Sequence, residues 1–257
     1  MKKIILFSAF HKTYIAPKAK WVVPIHAGKA LSSVDLKILG DNTGDNISQL
    51  NPIYCELTMA YWVWKNADRG TFDYWGLMHY RRYLLPQTLW TKLGKRKTFH
   101  FAPTQTKMDS VINSHLKKSI SKDLKNYDII LPLPLRLNKK DAAYKSVEDH
   151  YCEKHLESHW RTLKEVIVEK YPDYQESMIC FNKNTFYTFN MMIASCDVWD
   201  QYLSWLFDIL NETSKRIEIP IDSYQKRYAG FLSERLLNLY VFHHKLTIKS
   251  YITAEFI

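Results

Sequence analysis

Strand-length apolar runs alternate along this chain with longer segments whose apolar residues recur every three to four positions. That order confines the chain to an α/β fold, because each helix must bury its stripe against a sheet. Strands are expected at 3–7, 36–39, 74–79, 128–133, 189–194 and 246–252. A helix is expected over 52–65, where Asn51 can cap it and Pro52 fills the first turn without losing a hydrogen bond. Ile53, Leu57, Ala60, Tyr61 and Trp64 then share one face. Further helices are expected at 148–170, ending before Tyr171-Pro172, at 198–212 and at 230–243. Their apolar stripes absorb most of the aromatic residues, which therefore carry no cofactor signal.

The 257 residues suffice for one or two domains with a full core, and a 46% apolar fraction excludes a disordered chain. No apolar run reaches the ~18 residues of a membrane-spanning helix. The opening MKKIILFSAF has a charged tip, but its apolar run soon meets His11 and Lys12, so it reads as a first strand and not as a signal peptide. Four cysteines, Cys55, Cys152, Cys180 and Cys196, are widely spaced without a CxxC, as suits reduced thiols in a cytoplasmic protein.

Net charge is +10, and between residues 90 and 126 nine Lys and Arg face two acids. A solvated helix face is the plain reading of such a run. Nucleic acid is not expected, since no recognised binding module accompanies the charge. An anionic membrane leaflet or a phosphate-bearing ligand fits better, at about 1 kcal/mol per Lys or Arg near a charged leaflet.

Four clusters carry chemistry. Residues 40–56 form a dense polar stretch between a strand and a helix, where α/β folds place ligands. Asp41, Asn42, Asp45, Asn46 and Asn51 suit the hydroxyls of a ribose or sugar, although each is also an ordinary turn former. Glu56 reads as a supporting carboxylate or as a solvent-facing one. At the end of the 74–79 strand stand His79, Arg81 and Arg82, an anion clamp for phosphate oxygens. In a continuing strand, His79 and Arg81 would point one way and Arg82 the other. The plain alternative is an ion-pair network with Asp41, Asp45 or Asp73. The chain contains no DxD, DxE, ExD or ExE, so a nucleotide-sugar enzyme of this sequence has to neutralise its diphosphate with side-chain cations. No metal site is expected there.

Asp149 and His150 open the third cluster and are expected to reach into the site, Asp149 as a base or a hydroxyl ligand. His155 and His159 share a helix face at i, i+4, but no third zinc ligand is identifiable. The fourth cluster pairs Asn190, at the start of a strand, with Gln225, Arg227 and Glu234-Arg235 near a helix start. Glu234 there is either half of a helix-start ion pair or the carboxylate that deprotonates an acceptor hydroxyl.

Taken together, Asp41-Asn-Thr-Gly-Asp-Asn-Ile-Ser48, the Asn51…Tyr54-Cys-Glu56-Leu-Thr58…Tyr61-Trp62 stretch, His79-Tyr-Arg-Arg82-Tyr, Phe189-Asn190-Met and Gly230-Phe-Leu-Ser-Glu234-Arg235 resemble a family. It comprises bacterial capsule, exopolysaccharide and O-antigen glycosyltransferases long grouped as a domain of unknown function, some of them β-galactofuranosyltransferases that use UDP-galactofuranose. The resemblance spans nearly the whole chain. It implies a single compact GT-A-like domain with a Rossmann-type central sheet flanked by helices. Residues 1–88 would form the nucleotide-binding half, 89–126 a basic insertion, and 127–257 the acceptor and catalytic half. The expected reaction is inverting, metal-independent transfer of galactofuranose from UDP-galactofuranose to a glycan acceptor, lipid-linked and met at the inner face of the membrane; the alternatives are a UDP-galactopyranose or UDP-glucose transferase, or a non-catalytic glycan-binding assembly protein. His11, Asp41, Asn42, Asn46, Asn51, His79, Arg81 and Arg82 would hold the nucleotide and diphosphate. His150, Asn190 and Arg235 would face the sugar or acceptor. The base is sought among Glu234, Asp149 and Asp45, in that order.

Overall fold

A computed structural model describes residues 3–88, 97–139, 142–143 and 146–257. Its first half lays down parallel strands β1 (Ile4–Phe10), β2 (Val22–His26), β3 (Leu39–Gly40) and β4 (Tyr74–His79), with β1 between β2 and β4 and β3 outside β2. All seven β1 residues are buried, as a strand covered on both faces requires. Ile5, Phe7 and Ala9 belong to one apolar cluster, Ile4 and Leu6 to another, so the sheet separates two cores.

Strand β5 (Arg82–Leu85) turns back from β4, and β6 (Thr98–Phe101) precedes helices α3 (Gln105–Val111) and α4 (Ser114–Asp123). The chain then runs through β7 (Ile129–Pro132), short β8 (Leu135–Arg136), and the two-residue strands β9 (Asn138–Lys139) and β10 (Ala142–Ala143). Helices α5 (Val147–Lys154) and α6 (Glu157–Lys170) follow, then β11 (Thr185–Phe186), β12 (Met192–Ser195), α7 (Cys196–Arg216), α8 (Tyr228–His243) and β13 (Ile248–Phe256). Between β3 and β4 lie α1 (Asn51–Tyr54) and α2 (Leu57–Asn66). The result is a mixed α/β domain.

Strand β12 lies antiparallel between β4 and β7, and β13 runs parallel to β7 and antiparallel to β5. Strands β4, β5, β13, β7 and β12 thus close into a ring, a closure that the expected Rossmann-type sheet does not itself imply. Gly76 permits the tight passage of β4 between β1 and β12, since a β-carbon there would run into Leu6 and Ile193. Helices α2, α6, α7 and α8 bury their stripes in the larger core; α3 and α4 cover the opposite face.

Several expected elements are resized. The 52–65 helix is interrupted at Cys55, whose φ of 52° and ψ of −130° end α1. Asn51 is therefore a helical residue, not the cap. The 148–170 helix breaks at an extended His155, which separates His155 from His159's helix. The 189–194 strand starts only at Met192, because Phe189 and Asn190 take left-handed φ values of 74° and 51°. The 36–39 strand shrinks to Leu39–Gly40. Strand β2 escapes the sequence pattern because Pro24 sits inside it; β3 pairs only with Ile25 and His26, so Pro24 has no neighbour on that side.

Lys92, Lys95 and Arg96 lie outside the described residues. The rest of the basic segment holds β6, α3 and α4, and β6 pairs with β13. Leu116 and Ile120 of α4 are buried, whereas Lys118, Lys122 and Lys125 are exposed.

Candidate functional site

An open cleft of about 900 Å³ lies beyond the carboxyl ends of β1, β2 and β4, the position where parallel sheets place ligands. His11 follows β1, and Ala27 follows β2. His79, Tyr80, Arg81 and Arg82 come from the β4–β5 corner, and Asn51, Cys55 and Glu56 from the α1–α2 break. Lys226 and Arg227 enter from the α7–α8 link, Phe189 from the left-handed turn, and Glu234 from α8.

His79 pairs with Arg82 across the corner, so the chain folds back over Tyr80-Arg81 and does not continue as a strand. All four of these residues face the cleft, in place of the alternation expected. His79 donates through Nε2 to the Phe189 carbonyl at 2.6 Å. Arg82 meets a carboxylate that the sequence reading missed: Glu255, near the end of β13, lies 2.6 Å from Arg82 Nη2 and 3.6 Å from Arg81 Nε. The partners considered from sequence, Asp41, Asp45 and Asp73, make other contacts. One carboxylate against two guanidiniums leaves surplus positive charge, to which Lys226 and Arg227 add. His11 registers that field. Burial lowers its pKa, and Lys12, His79, Arg227 and Arg81 lower it further.

The polar 40–56 stretch mostly builds the support behind the cleft. Asp41 is fully buried and accepts from the backbone N–H groups of Gly28 and Lys29 and from the Ser48 hydroxyl. Asn46 closes a local turn between Gly44 and Ser48. Asp45 accepts from Tyr61 on α2, away from the cleft, and Asn42 is exposed and also outside it. Asn51 does line the cleft; its amide donates to the Cys55 carbonyl and Thr58 hydroxyl, bracing the helix break.

Glu234 reaches the cleft from the second turn of α8 with both oxygens engaged. Phe189 N–H donates to Oε1 at 2.7 Å, and Arg235 Nη1 lies 3.1 Å from Oε2. Burial raises its pKa; Arg235, the Phe189 N–H and Arg227 oppose that shift, and the charge of Glu56 reinforces it. Arg235 is 2% exposed, packed between Tyr151 and Phe186, and bonded to the Phe231 carbonyl and His150 Nδ1. Arg235 and His150 therefore stand behind Glu234 and are not part of the cleft lining. Asn190 is also buried. Its amide donates to Glu56 Oε1 at 2.8 Å and to the Gly230 carbonyl, and its oxygen accepts from Ser233. Asp149 is exposed in the first turn of α5, outside the cleft.

His155 stacks on Phe231 at 4.0 Å and contacts Gln225, while His159 packs against Tyr228. Among the described residues, no group of three or more His, Cys, Asp or Glu side chains is placed to hold a metal. Burial, with help from Arg235, pushes His150 and His155 down to about 4. Between pH 6.5 and 4 the unfolded chain binds protons there that the folded one refuses, so stability rises with pH across this window and falls on acidification. His155→Phe keeps a stacking ring and removes one titrating group. Its melting temperature should fall less than the wild type's between pH 6.5 and 4; an unchanged slope would refute the assignment.

The cleft of this mixed α/β domain thus gathers His79, Arg81, Arg82, Lys226 and Arg227 with the carboxylates of Glu56 and Glu234 beyond the carboxyl ends of parallel strands. The chain belongs to the family described as a domain of unknown function, DUF4422, which it matches over residues 4–245. It is also similar to the apo structure of WbbM, a bifunctional glycosyltransferase, with a TM-score of 0.87, 28% sequence identity and 99% of this chain covered. The chain spans 45% of the length of that structure's chain. No curated protein matches.

Proposed function

We propose that this protein is a glycosyltransferase of bacterial surface-polysaccharide synthesis, transferring galactofuranose from UDP-galactofuranose to a glycan hydroxyl with inversion. The carrying observation is the cleft itself, which His79, Arg81 and Arg82 line together with Glu234 and Glu56. The similarity to WbbM supports transfer chemistry, and the strand order β3-β2-β1-β4-β12-β7-β13 suits a GT-A-like reading of the sheet. The donor sugar rests on the sequence resemblance.

His79, Arg81 and Arg82 bind the diphosphate and stabilise the negative charge that grows on it as UDP departs. Preorganised cations thereby take the part a divalent metal plays elsewhere, so no metal is required. A carboxylate of the cleft removes the acceptor proton. The exposed lysines of α4 present a basic face to an anionic leaflet carrying a lipid-linked acceptor.

The test is UDP release from UDP-galactofuranose, UDP-galactopyranose and UDP-glucose, each with and without EDTA. Fastest release from UDP-galactofuranose, unchanged by EDTA, is expected. Preference for another sugar would overturn the donor, loss of activity in EDTA the metal-free clamp, and no release from any donor the transferase reading.

A further inference from the structure

Glu56 and Glu234 share the cleft but differ in what already holds them. Glu234 Oε1 is bonded to the Phe189 N–H, and Oε2 is paired with the buried Arg235. Taking a proton there would weaken a buried ion pair, which is costly. Glu56 uses Oε1 to accept from Asn190 Nδ2 at 2.8 Å, and its second oxygen has no partner among the described residues.

The backbone beside Glu56 is strained. Cys55 holds φ 52° and ψ −130°, a conformation that costs a non-glycine residue about 1–3 kcal/mol. Its neighbours accommodate it. Arg227 Nε donates to Cys55 Sγ at 3.2 Å, Asn51 Nδ2 donates to the Cys55 carbonyl at 2.7 Å, and Gly230 leaves room where a β-carbon would sit 3.3 Å from Sγ. This break ends α1, restarts the chain as α2 and leaves Glu56 lining the cleft. In one continuous 52–65 helix, Glu56 would be an ordinary helical residue.

We infer that Glu56 is the catalytic base and that Glu234 is a positioning residue which fixes the Phe189–Asn190 turn. The inference rests on the transferase reading. Glu56 removes the acceptor hydroxyl's proton as the acceptor oxygen bonds to the anomeric carbon. The bond from that carbon to the UDP oxygen breaks, and UDP leaves with the electron pair. Asn190 aims Glu56 by holding one of its oxygens.

The test uses the full chain with UDP-galactofuranose and either octyl galactoside or sodium azide as acceptor. Azide carries no proton, so its transfer needs no base. Glu56→Gln preserves an oxygen for Asn190 and should lower kcat toward the glycoside by about 10²–10⁴-fold. UDP affinity should stay within about threefold and azide transfer within about fivefold of wild type. Glu234→Gln should depress both transfers together. Glycoside transfer within tenfold of wild type in Glu56→Gln, or equal loss toward both acceptors, would overturn the assignment. A wild-type protein that transfers to neither removes the transferase reading and this assignment with it.

Discussion

Arg235→Met is expected to destabilise the fold by about 3–5 kcal/mol in urea unfolding, because it strands the Glu234 carboxylate without its buried counter-ion. Arg235 is 2% exposed and also holds the Phe231 carbonyl and His150, so water cannot readily replace it. Methionine retains much of the volume between Tyr151 and Phe186 and isolates the electrostatic effect. Burial already raises the Glu234 pKa, and loss of Arg235 raises it further. The folded variant then keeps a proton that the unfolded chain releases, so its deficit should grow as pH rises. Adding Glu234→Gln removes the stranded charge and should recover part of the loss. A deficit below about 1 kcal/mol, or no recovery in the double variant, would show that the pair is not coupled as the geometry indicates.

Arg81→Ala should leave stability nearly unchanged and lower kcat/KM with the UDP-sugar by about 10²–10³-fold, the scale of losing one preorganised donor at a developing charge. Arg81 is 35% exposed and lies 3.6 Å from Glu255, so little of the fold depends on it. Lysine at this position keeps the charge without the two-pronged guanidinium and should recover only part of the activity. Arg82→Ala is a different experiment, since Glu255, 14% exposed, would lose its 2.6 Å partner and keep only the longer contacts to Arg81 and His100. Steady-state kinetics of Arg81→Ala alongside its melting temperature decide the matter. Wild-type kcat/KM would remove Arg81 from the clamp.

What the sequence made legible follows from the range of each interaction. Strand β4 matches its expected 74–79 span, and α7 was recognised from its stripe, because burial on a regular period is written locally. The interruptions were not legible. Cys55 and Phe189 adopt positive φ values that their residue types do not announce, and tertiary contacts hold both there. The spacing of His79, Arg81 and Arg82 shows that they lie close together, and the cleft holds all three, but their partner Glu255 comes from the far end of the chain through the β5–β13 pairing. In the polar 41–48 run, Asp41, Asn46 and Ser48 satisfy backbone N–H groups, which composition alone does not distinguish from a ligand loop. For Glu56 the sequence leaves open a supporting or a solvent-facing carboxylate, because nothing local marks the break at Cys55 that brings it to the cleft.

The most direct measurement is a crystal structure of the protein with UDP, grown in EDTA. The account predicts diphosphate oxygens within hydrogen-bonding distance of Arg81 and His79, with the nucleoside against the β1 and β2 ends. UDP bound elsewhere, or held only when a divalent metal is supplied, would contradict it.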